Sequence, residues 1–116
     1  MPNIRKFKKQ TIHPKYPENL IYSESEHLKG KEQRRLTWYP NSQLKSEILF
    51  KNDEILLKEW SENGQLIHEQ FIENGISSLE KKWDENGKLI KNFELTEEYP
   101  YFEMLEIYRR NKSLTD

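Results

Sequence analysis

Hydrophobic and polar residues alternate along this chain in short runs, and turn-forming residues separate one run from the next. Alternation with a period of two places successive side chains on opposite sides of a β-strand. Asn-Gly pairs stand between the runs at 63–64, 74–75 and 86–87, and such a pair is the strongest short-range signal of a β-hairpin. The pattern predicts an antiparallel meander with strands near 35–39, 43–50, 55–60, 65–72, 76–83 and 88–95.

A seven-residue phrase recurs within this pattern as WYPNSQL, WSENGQL and WDENGKL, and its three Trp residues lie 22 and 23 positions apart. Self-similarity at a period in the low twenties predicts a repeat architecture of stacked units. We interpret the shared positions as packing and turn residues, although a row of exposed aromatic binding platforms is the alternative. These positions are Trp38, Trp60, Trp83, Asn63, Gly64, Asn74, Gly75, Asn86 and Gly87.

The Asn-Gly pairs favour type I′ turns, which need a positive φ at both central residues. Counting by two along the strands predicts that one side of the sheet is apolar. The residues assigned to that side are Leu36, Trp38, Leu44, Ser46, Ile48, Phe50, Leu56, Trp60, Leu66, Ile72, Leu79, Trp83, Leu89, Phe93 and Leu95. Phe71 falls out of step with Leu66, so either a bulge redirects it or it faces the other side.

The two ends of the chain differ from the repeats. Residues 1–19 form a basic, proline-containing segment that predicts an extended arm, because Pro14 and Pro17 forbid a continuous helix. Residues 20–95 hold the hairpins, including a degenerate first hairpin that turns at Lys29–Lys31. Residues 96–116 predict a helix that packs on or caps the sheet and covers its last hairpin. Its apolar positions at helical spacing are Tyr101, Met104, Leu105 and Tyr108.

Composition supports a thin fold, since 34% of the residues are hydrophobic, 34% are charged and 12% are aromatic. The net charge of −1 is uneven, because residues 1–17 carry +5 and the remainder therefore carries −6. The absence of cysteine excludes disulfides and thiolate metal sites. No secretory signal or membrane-length apolar stretch is visible, so we expect a cytoplasmic protein without a membrane partner.

Catalytic and metal-binding patterns are missing from the sequence. The histidines His13, His27 and His68 fall in separate segments without the paired spacing of metal ligands. No glycine-rich phosphate loop or nucleophile elbow occurs, and a single-layer meander offers no deep pocket. We therefore predict no enzymatic activity, no cofactor and no metal.

Residues that differ between repeats are better candidates for recognition than shared ones, because packing does not require them to match. Six such residues are candidate partner-binding residues: Tyr39, Glu47, Glu62, His68, Glu69 and Asp84.

The phrase Trp-x-x-Asn-Gly-x-Leu, with a second turn at Asn74-Gly75 midway between two Trp residues, resembles the bacterial variant of the MORN repeat, which includes YwqK-type antitoxin proteins. The resemblance covers about residues 20–95. It implies a mainly β fold, namely an antiparallel β-hairpin meander forming a MORN-like single-sheet repeat solenoid, here followed by a C-terminal α-helix. It also implies a role in binding proteins.

The leading hypothesis is a non-catalytic protein-binding module, an antitoxin or immunity protein that neutralises a toxin encoded by an adjacent gene. The acidic body suits a basic target, because opposite charges speed encounter. One alternative is a structural scaffold that self-associates through its sheet edges or its C-terminal helix. A second alternative is a weak nucleic-acid binder that uses the basic arm.

Overall fold

The computed structural model describes residues 6–12, 16 and 20–115 as an open eight-stranded sheet followed by a helix. The elements are β1 (Lys6–Ile12), β2 (Ile21–Leu28), β3 (Lys31–Trp38), β4 (Leu44–Lys51), β5 (Glu54–Trp60), β6 (Leu66–Glu73), β7 (Ile76–Trp83), β8 (Leu89–Glu94) and α1 (Phe102–Thr115). Consecutive strands pair antiparallel in chain order from β1 to β8. The predicted mainly β meander with a C-terminal helix is confirmed.

Strand β1 lies inside the segment predicted as an arm. It pairs with β2 in register from Lys6 opposite Leu28 to Ile12 opposite Ile21, so the sheet gains an edge strand that the alternation did not predict. The lysines of β1 suit this position, because charged edges resist pairing with other chains. Apart from Tyr16, the remainder of the predicted arm, including Pro14 and Pro17, lies outside the described residues.

The turns differ between the two ends of the sheet. At one end Asn74 and Gly75 form a two-residue turn with φ values of 50° and 78°, which is the predicted type I′ geometry. At the other end the loops 39–43, 61–65 and 84–88 are five residues long, and only Ser42, Gly64 and Gly87 have a positive φ there. The type I′ prediction is wrong at 63–64 and 86–87, because a longer loop reverses the chain with one left-handed residue.

Each five-residue loop is followed by a bulge that changes which side chains share a face. The register shifts at Trp38, Trp60 and Trp83 place these residues opposite Leu44, Leu66 and Leu89. One extra residue on β4, β6 and β8 therefore interrupts the period-two count. The prediction of one apolar face is wrong for Ser46, Ile48, Phe50, Ile72 and Phe93, which lie on the side opposite the tryptophans.

The bulge in β6 also determines which residues share a face with Phe71. Phe71 lies opposite Leu56 and Leu79, on the face that also carries Trp60. The extra residue in β6 brings Leu66 onto this face as well, so the two residues are in step. Of the two alternatives, the bulge is the correct one.

The sheet is thin, and its two faces carry different side chains. The molecule measures 51 × 50 × 17 Å, and Leu95 and Leu105 are the only buried apolar side chains among the described residues. We call the side that carries the three tryptophans the tryptophan face and the opposite side the His68 face. Among the described residues, α1 is the element that adds a second layer to the sheet.

Helix α1 packs on the tryptophan face at the end with two-residue turns. Its Arg109 guanidinium binds the Glu73 carboxylate of β6 through two hydrogen bonds, and its Tyr108 hydroxyl and Lys112 ammonium contact Glu54 of β5. Leu105 is fully buried. No helix in the described part of the chain has the length and apolarity needed to cross a bilayer.

The predicted apolar stripe of the helix is only partly correct. Leu105 and Tyr108 face inward, whereas Tyr101 and Met104 are exposed. The polar contacts with Glu54 and Glu73 anchor the helix on β5 and β6, and Phe102 and Glu106 lie beside Ser78 and Glu94 of the last hairpin.

The five-residue loops are linked to one another by side chains. The Tyr39 hydroxyl donates to the carbonyl of Trp60 at 2.8 Å, and the Tyr16 hydroxyl donates to the carbonyl of Trp38 at 3.0 Å. The Gln65 amide is oriented to accept from the Gly87 N–H at 3.0 Å and to donate to the Glu85 carbonyl at 3.1 Å. Each loop therefore holds the next one in place.

Replacing Gly87 by Ala tests this linkage. A Cβ at Gly87 would lie 2.7 Å from the Gln65 amide, whereas a Cβ at Gly75, which has a similar φ, meets nothing within 4 Å. Both substitutions suffer the backbone strain of a positive φ. We expect Gly87→Ala to reduce the free energy of unfolding by about 1 kcal/mol more than Gly75→Ala, because it also displaces Gln65. Urea denaturation measures both, and equal losses would contradict a contribution from the loop contact.

Candidate functional site

A row of charged side chains crosses four neighbouring strands on the His68 face. His68 of β6 contacts Glu59 of β5 through Nδ1 at 2.6 Å and Glu80 of β7 through Nε2 at 2.8 Å. The second carboxylate oxygen of Glu80 accepts a hydrogen bond from Lys91 Nζ of β8 at 2.5 Å. We call Glu59, His68, Glu80 and Lys91 the charged row. Strand register creates it, because directly paired and diagonal residues on one face lie within contact distance.

His68 is the centre of this row. Both of its ring nitrogens face carboxylate oxygens, and an ionised carboxylate only accepts hydrogen bonds. Each ring nitrogen that carries a hydrogen can donate it to the carboxylate that it faces. Its side chain is 15% exposed, and both nitrogens are occupied by contacts within the protein. In this arrangement His68 positions two carboxylates.

Glu80 has the most strongly held carboxylate of the row. The hydrogen bond from Lys91 and then that from His68 lower the pKa of Glu80 below its ordinary value, and burial opposes them. Glu80 therefore stays ionised to a lower pH than an isolated glutamate. The row fixes a negative charge at one position of an otherwise open face.

Replacing Lys91 by Ala tests this assignment. Because the Lys91 hydrogen bond is the largest cause of the lowered value, we expect the pKa of Glu80 to rise toward that of an ordinary glutamate. NMR titration of the side-chain carboxyl carbon measures it. Lys82→Ala is the matched control, because Lys82 acts on Glu80 only through the weaker coulombic attraction and should produce a smaller rise. Equal rises in the two variants would contradict the assignment.

A groove of about 650 Å³ begins where the charged row ends. One wall consists of polar residues from the strands, including Gln70, Ser77, Glu80 and Lys91. The other wall is aromatic. It is formed by Phe93, Tyr99 and Tyr101, of which Tyr99 packs edge-on against Phe93 with ring centroids 5.2 Å apart. Tyr101 is 61% exposed and projects beside the groove as its most accessible aromatic side chain.

The six candidate residues selected from the sequence do not converge on one site. Tyr39 and Glu62 line a shallow hollow of about 430 Å³ among the five-residue loops. Asp84 accepts hydrogen bonds from the N–H groups of Asn86 and Lys88 inside its own loop. His68 lies in the charged row. The selection remains a prediction, although the contacts of Tyr39 and Asp84 already give these residues structural roles.

The other two candidates lie on the tryptophan face. Glu47 forms an ion pair with Arg34 at 2.8 Å, and Glu69 lies between Lys58 and Lys81 on the neighbouring strands. Because these glutamates have cross-strand partners, they belong to a mixed-charge surface on the face opposite the groove.

Sequence reasoning missed the residues that form the groove and most of the charged row. Glu59 and Glu80 were not among the candidate residues selected from the sequence. Their meeting at His68 follows from the exact register, which the bulge in β6 sets. Gln70 and Tyr101 carry no repeat signal of their own. A useful signal existed for Tyr39, since Tyr-Pro occurs at 16–17 and again at 39–40, one repeat apart.

Comparison with known proteins matches one hairpin of the chain to a repeat family. Among the described residues, no group of three or more His, Asp or Glu side chains is arranged to hold a metal ion. No curated protein and no solved structure matches the chain. The profile of the family described as the MORN repeat variant matches residues 34–52, which cover most of the β3–β4 hairpin. This match supports a MORN-repeat protein.

Proposed function

We propose that this chain is a non-catalytic repeat protein that binds another protein through the groove on the His68 face. The observation that carries the proposal is the combination of exposed aromatic side chains with polar groups that are already held in place. Tyr99 and Tyr101 supply the aromatic wall, and Glu80 and Lys91 supply the fixed charges. Tyrosine is among the residues that dominate the binding energy of protein interfaces, and fixed charges add specificity for a partner of complementary charge.

Preorganisation strengthens this argument. Ordering a long charged side chain on binding costs conformational entropy, and a side chain that is already fixed avoids part of that cost. The hydrogen bonds of the charged row hold Glu80 from both sides before any partner arrives. A protein surface that presents basic and hydroxyl groups beside an apolar anchor would complement this groove.

The finer proposal is an antitoxin or immunity protein that neutralises a toxin encoded by an adjacent gene. Its support is the charge of −6 carried outside residues 1–17, which suits a basic target. Masking a toxin also requires a broad surface more than a deep cavity, and a single-layer sheet supplies a broad surface.

Co-expression with the product of the adjacent gene tests the proposal. We expect that product to be toxic when expressed alone, and we expect this chain to relieve the toxicity and to co-purify with it. A harmless product that does not co-purify would overturn the antitoxin proposal.

The groove itself is tested with Tyr101→Ala. An exposed aromatic anchor at an interface typically contributes at least 2 kcal/mol, so we expect affinity for the partner to fall about 30-fold. Ile90→Ala is the matched control, because Ile90 is also 61% exposed but lies on β8 outside the groove. Calorimetry measures both variants. Equal effects would place the binding site elsewhere while leaving the binding function intact.

A further inference from the structure

Helix α1 leaves an apolar stripe exposed to solvent beside the inward side that holds it on the sheet. Met104, Ile107 and Leu114 are all exposed and follow one another at intervals of three and seven residues, which places them on one side of a helix. We call these three residues the α1 stripe. It does not overlap the inward side of the helix, where Leu105 and Arg109 hold α1 on the sheet.

A groove of about 640 Å³ runs beside the α1 stripe. Met104 and Ile107 form its helical wall, and Asn52, Asp53 and Asn74 of the two-residue turns form the opposite wall. The stripe therefore borders a concave surface in which side chains of a second element could lie.

Two side chains of opposite charge lie beside the stripe, both along the same edge of the helix. Glu103 and Arg110 are seven residues apart, which is close to two helical turns, and both are exposed. Within the described part of the chain neither residue forms an ion pair, whereas the inward Arg109 contacts both Glu73 and Glu106. These two charges are available to a molecule that packs against the stripe.

We propose that the α1 stripe is the contact surface of a symmetric dimer, in which the helix of a second copy packs antiparallel against it. In an antiparallel pair, residues on one edge of a helix face the same edge of its neighbour. Glu103 of each copy would then face Arg110 of the other, which gives two equivalent ion pairs. A two-fold interface requires this self-complementarity. In a symmetric parallel pair this edge of one helix would instead face the opposite edge of its neighbour, so neither ion pair would form.

The dimer is expected to be weak and concentration-dependent. A helix of 14 residues is about 21 Å long, so two such helices form a contact below the size of a standard stable interface. The dimer does not use the groove proposed for partner binding, because that groove opens on the opposite face of the sheet. The two proposals can therefore fail independently.

Sedimentation velocity of the full chain over a range of concentrations tests the dimer, with charge reversal as the critical comparison. We expect Glu103→Arg and Arg110→Glu each to raise the dimer dissociation constant about 10-fold, because each converts two attractions into two repulsions. We expect the double variant Glu103→Arg/Arg110→Glu to restore dimerisation, since both ion pairs re-form with their signs exchanged. Ile107→Glu should remove the dimer.

Folding is monitored by circular dichroism, so that a loss of dimer through unfolding is recognised. If a charge-reversed variant unfolds, Met104→Gln and Leu114→Gln provide the same comparison without reversing a charge. A chain that stays monomeric at the highest concentration reached would overturn the proposal. So would a dimer that is insensitive to the single reversals, or a double variant that remains monomeric. Loss of affinity for a different protein in the stripe variants, without any dimer in the unaltered chain, would assign the stripe to that protein.

Discussion

Leu105→Ala should reduce the free energy of unfolding by about 3 kcal/mol, which is the typical loss for a leucine truncated in a well-packed site. Leu105 has no exposed surface and is the only large side chain that is completely buried among the described residues. It lies on the inward side of α1 against the tryptophan face, where the helix covers part of the single-layer sheet. Urea denaturation followed by tryptophan fluorescence and by circular dichroism measures the loss.

Leu114→Ala provides the matched control for this experiment. It makes the same substitution in the same helix at a residue that is 81% exposed, so we expect a change within about 0.5 kcal/mol. Both variants are measured at low protein concentration, where a weak dimer does not contribute. A loss for Leu105→Ala no larger than that for Leu114→Ala would contradict the assigned packing of α1.

Arg109→Met should be the second most destabilising substitution, at about 2 kcal/mol near neutral pH. It removes both hydrogen bonds to Glu73 and leaves a carboxylate that is only 5% exposed without its cationic partner. The loss is smaller than that of a fully buried ion pair, because Arg109 itself is 44% exposed and is partly screened by solvent. Arg110→Met is the control, since Arg110 is the adjacent arginine and points outward.

The stability that is lost in Arg109→Met should also depend on pH in a defined direction. The Arg109 hydrogen bond lowers the pKa of Glu73 in the folded chain, against a smaller opposing effect of burial. A lowered folded pKa contributes stability above the unfolded value, and that contribution disappears as the pH falls through the folded value. The difference between the unaltered chain and Arg109→Met should therefore shrink as the pH falls from about 5 to about 3. A constant difference over this range would contradict the role of Glu73.

The part of the fold that could be predicted depends on residues that are close together in the sequence. Strands β4 to β8 follow from alternation between turn residues, because both signals depend on neighbours a few positions apart. Asn74-Gly75 adopts the expected turn, since two residues suffice to join β6 and β7. These local signals fixed the strand order, because short connections in a repeat join strands that lie side by side.

The unpredicted part depends on contacts between distant residues. The extra residue in β6 has no compositional signature, so Leu66 and Ile72 were assigned to the same face although the bulge separates them. The rotation of α1 about its axis could not be predicted from the sequence either, because Met104 and Leu105 are adjacent and both are apolar. Pairing of Arg109 with Glu73, 36 residues away, decides which of them is buried.

The candidate site could not be predicted from the sequence for the same reason. His68 was selected because it differs from the corresponding residues of other repeats, but its partners Glu59 and Glu80 could be identified only with the strand register in hand. Tyr101 lies beyond the repeats, and the loop before α1 brings it to the groove. A repeat pattern describes what the units share, whereas this groove forms where the repeats end.

The 17 Å thickness of the molecule has a consequence for its response to temperature. The heat capacity of unfolding grows with the apolar surface that unfolding newly exposes, and an average domain of this length would have a value of about 1.6 kcal/mol/K. A sheet that already leaves both faces partly wet has less apolar surface to expose. Its heat-capacity change should fall below that average, and its curve of stability against temperature should be correspondingly flat. Cooling would then weaken this fold less than it weakens a protein with a thick core.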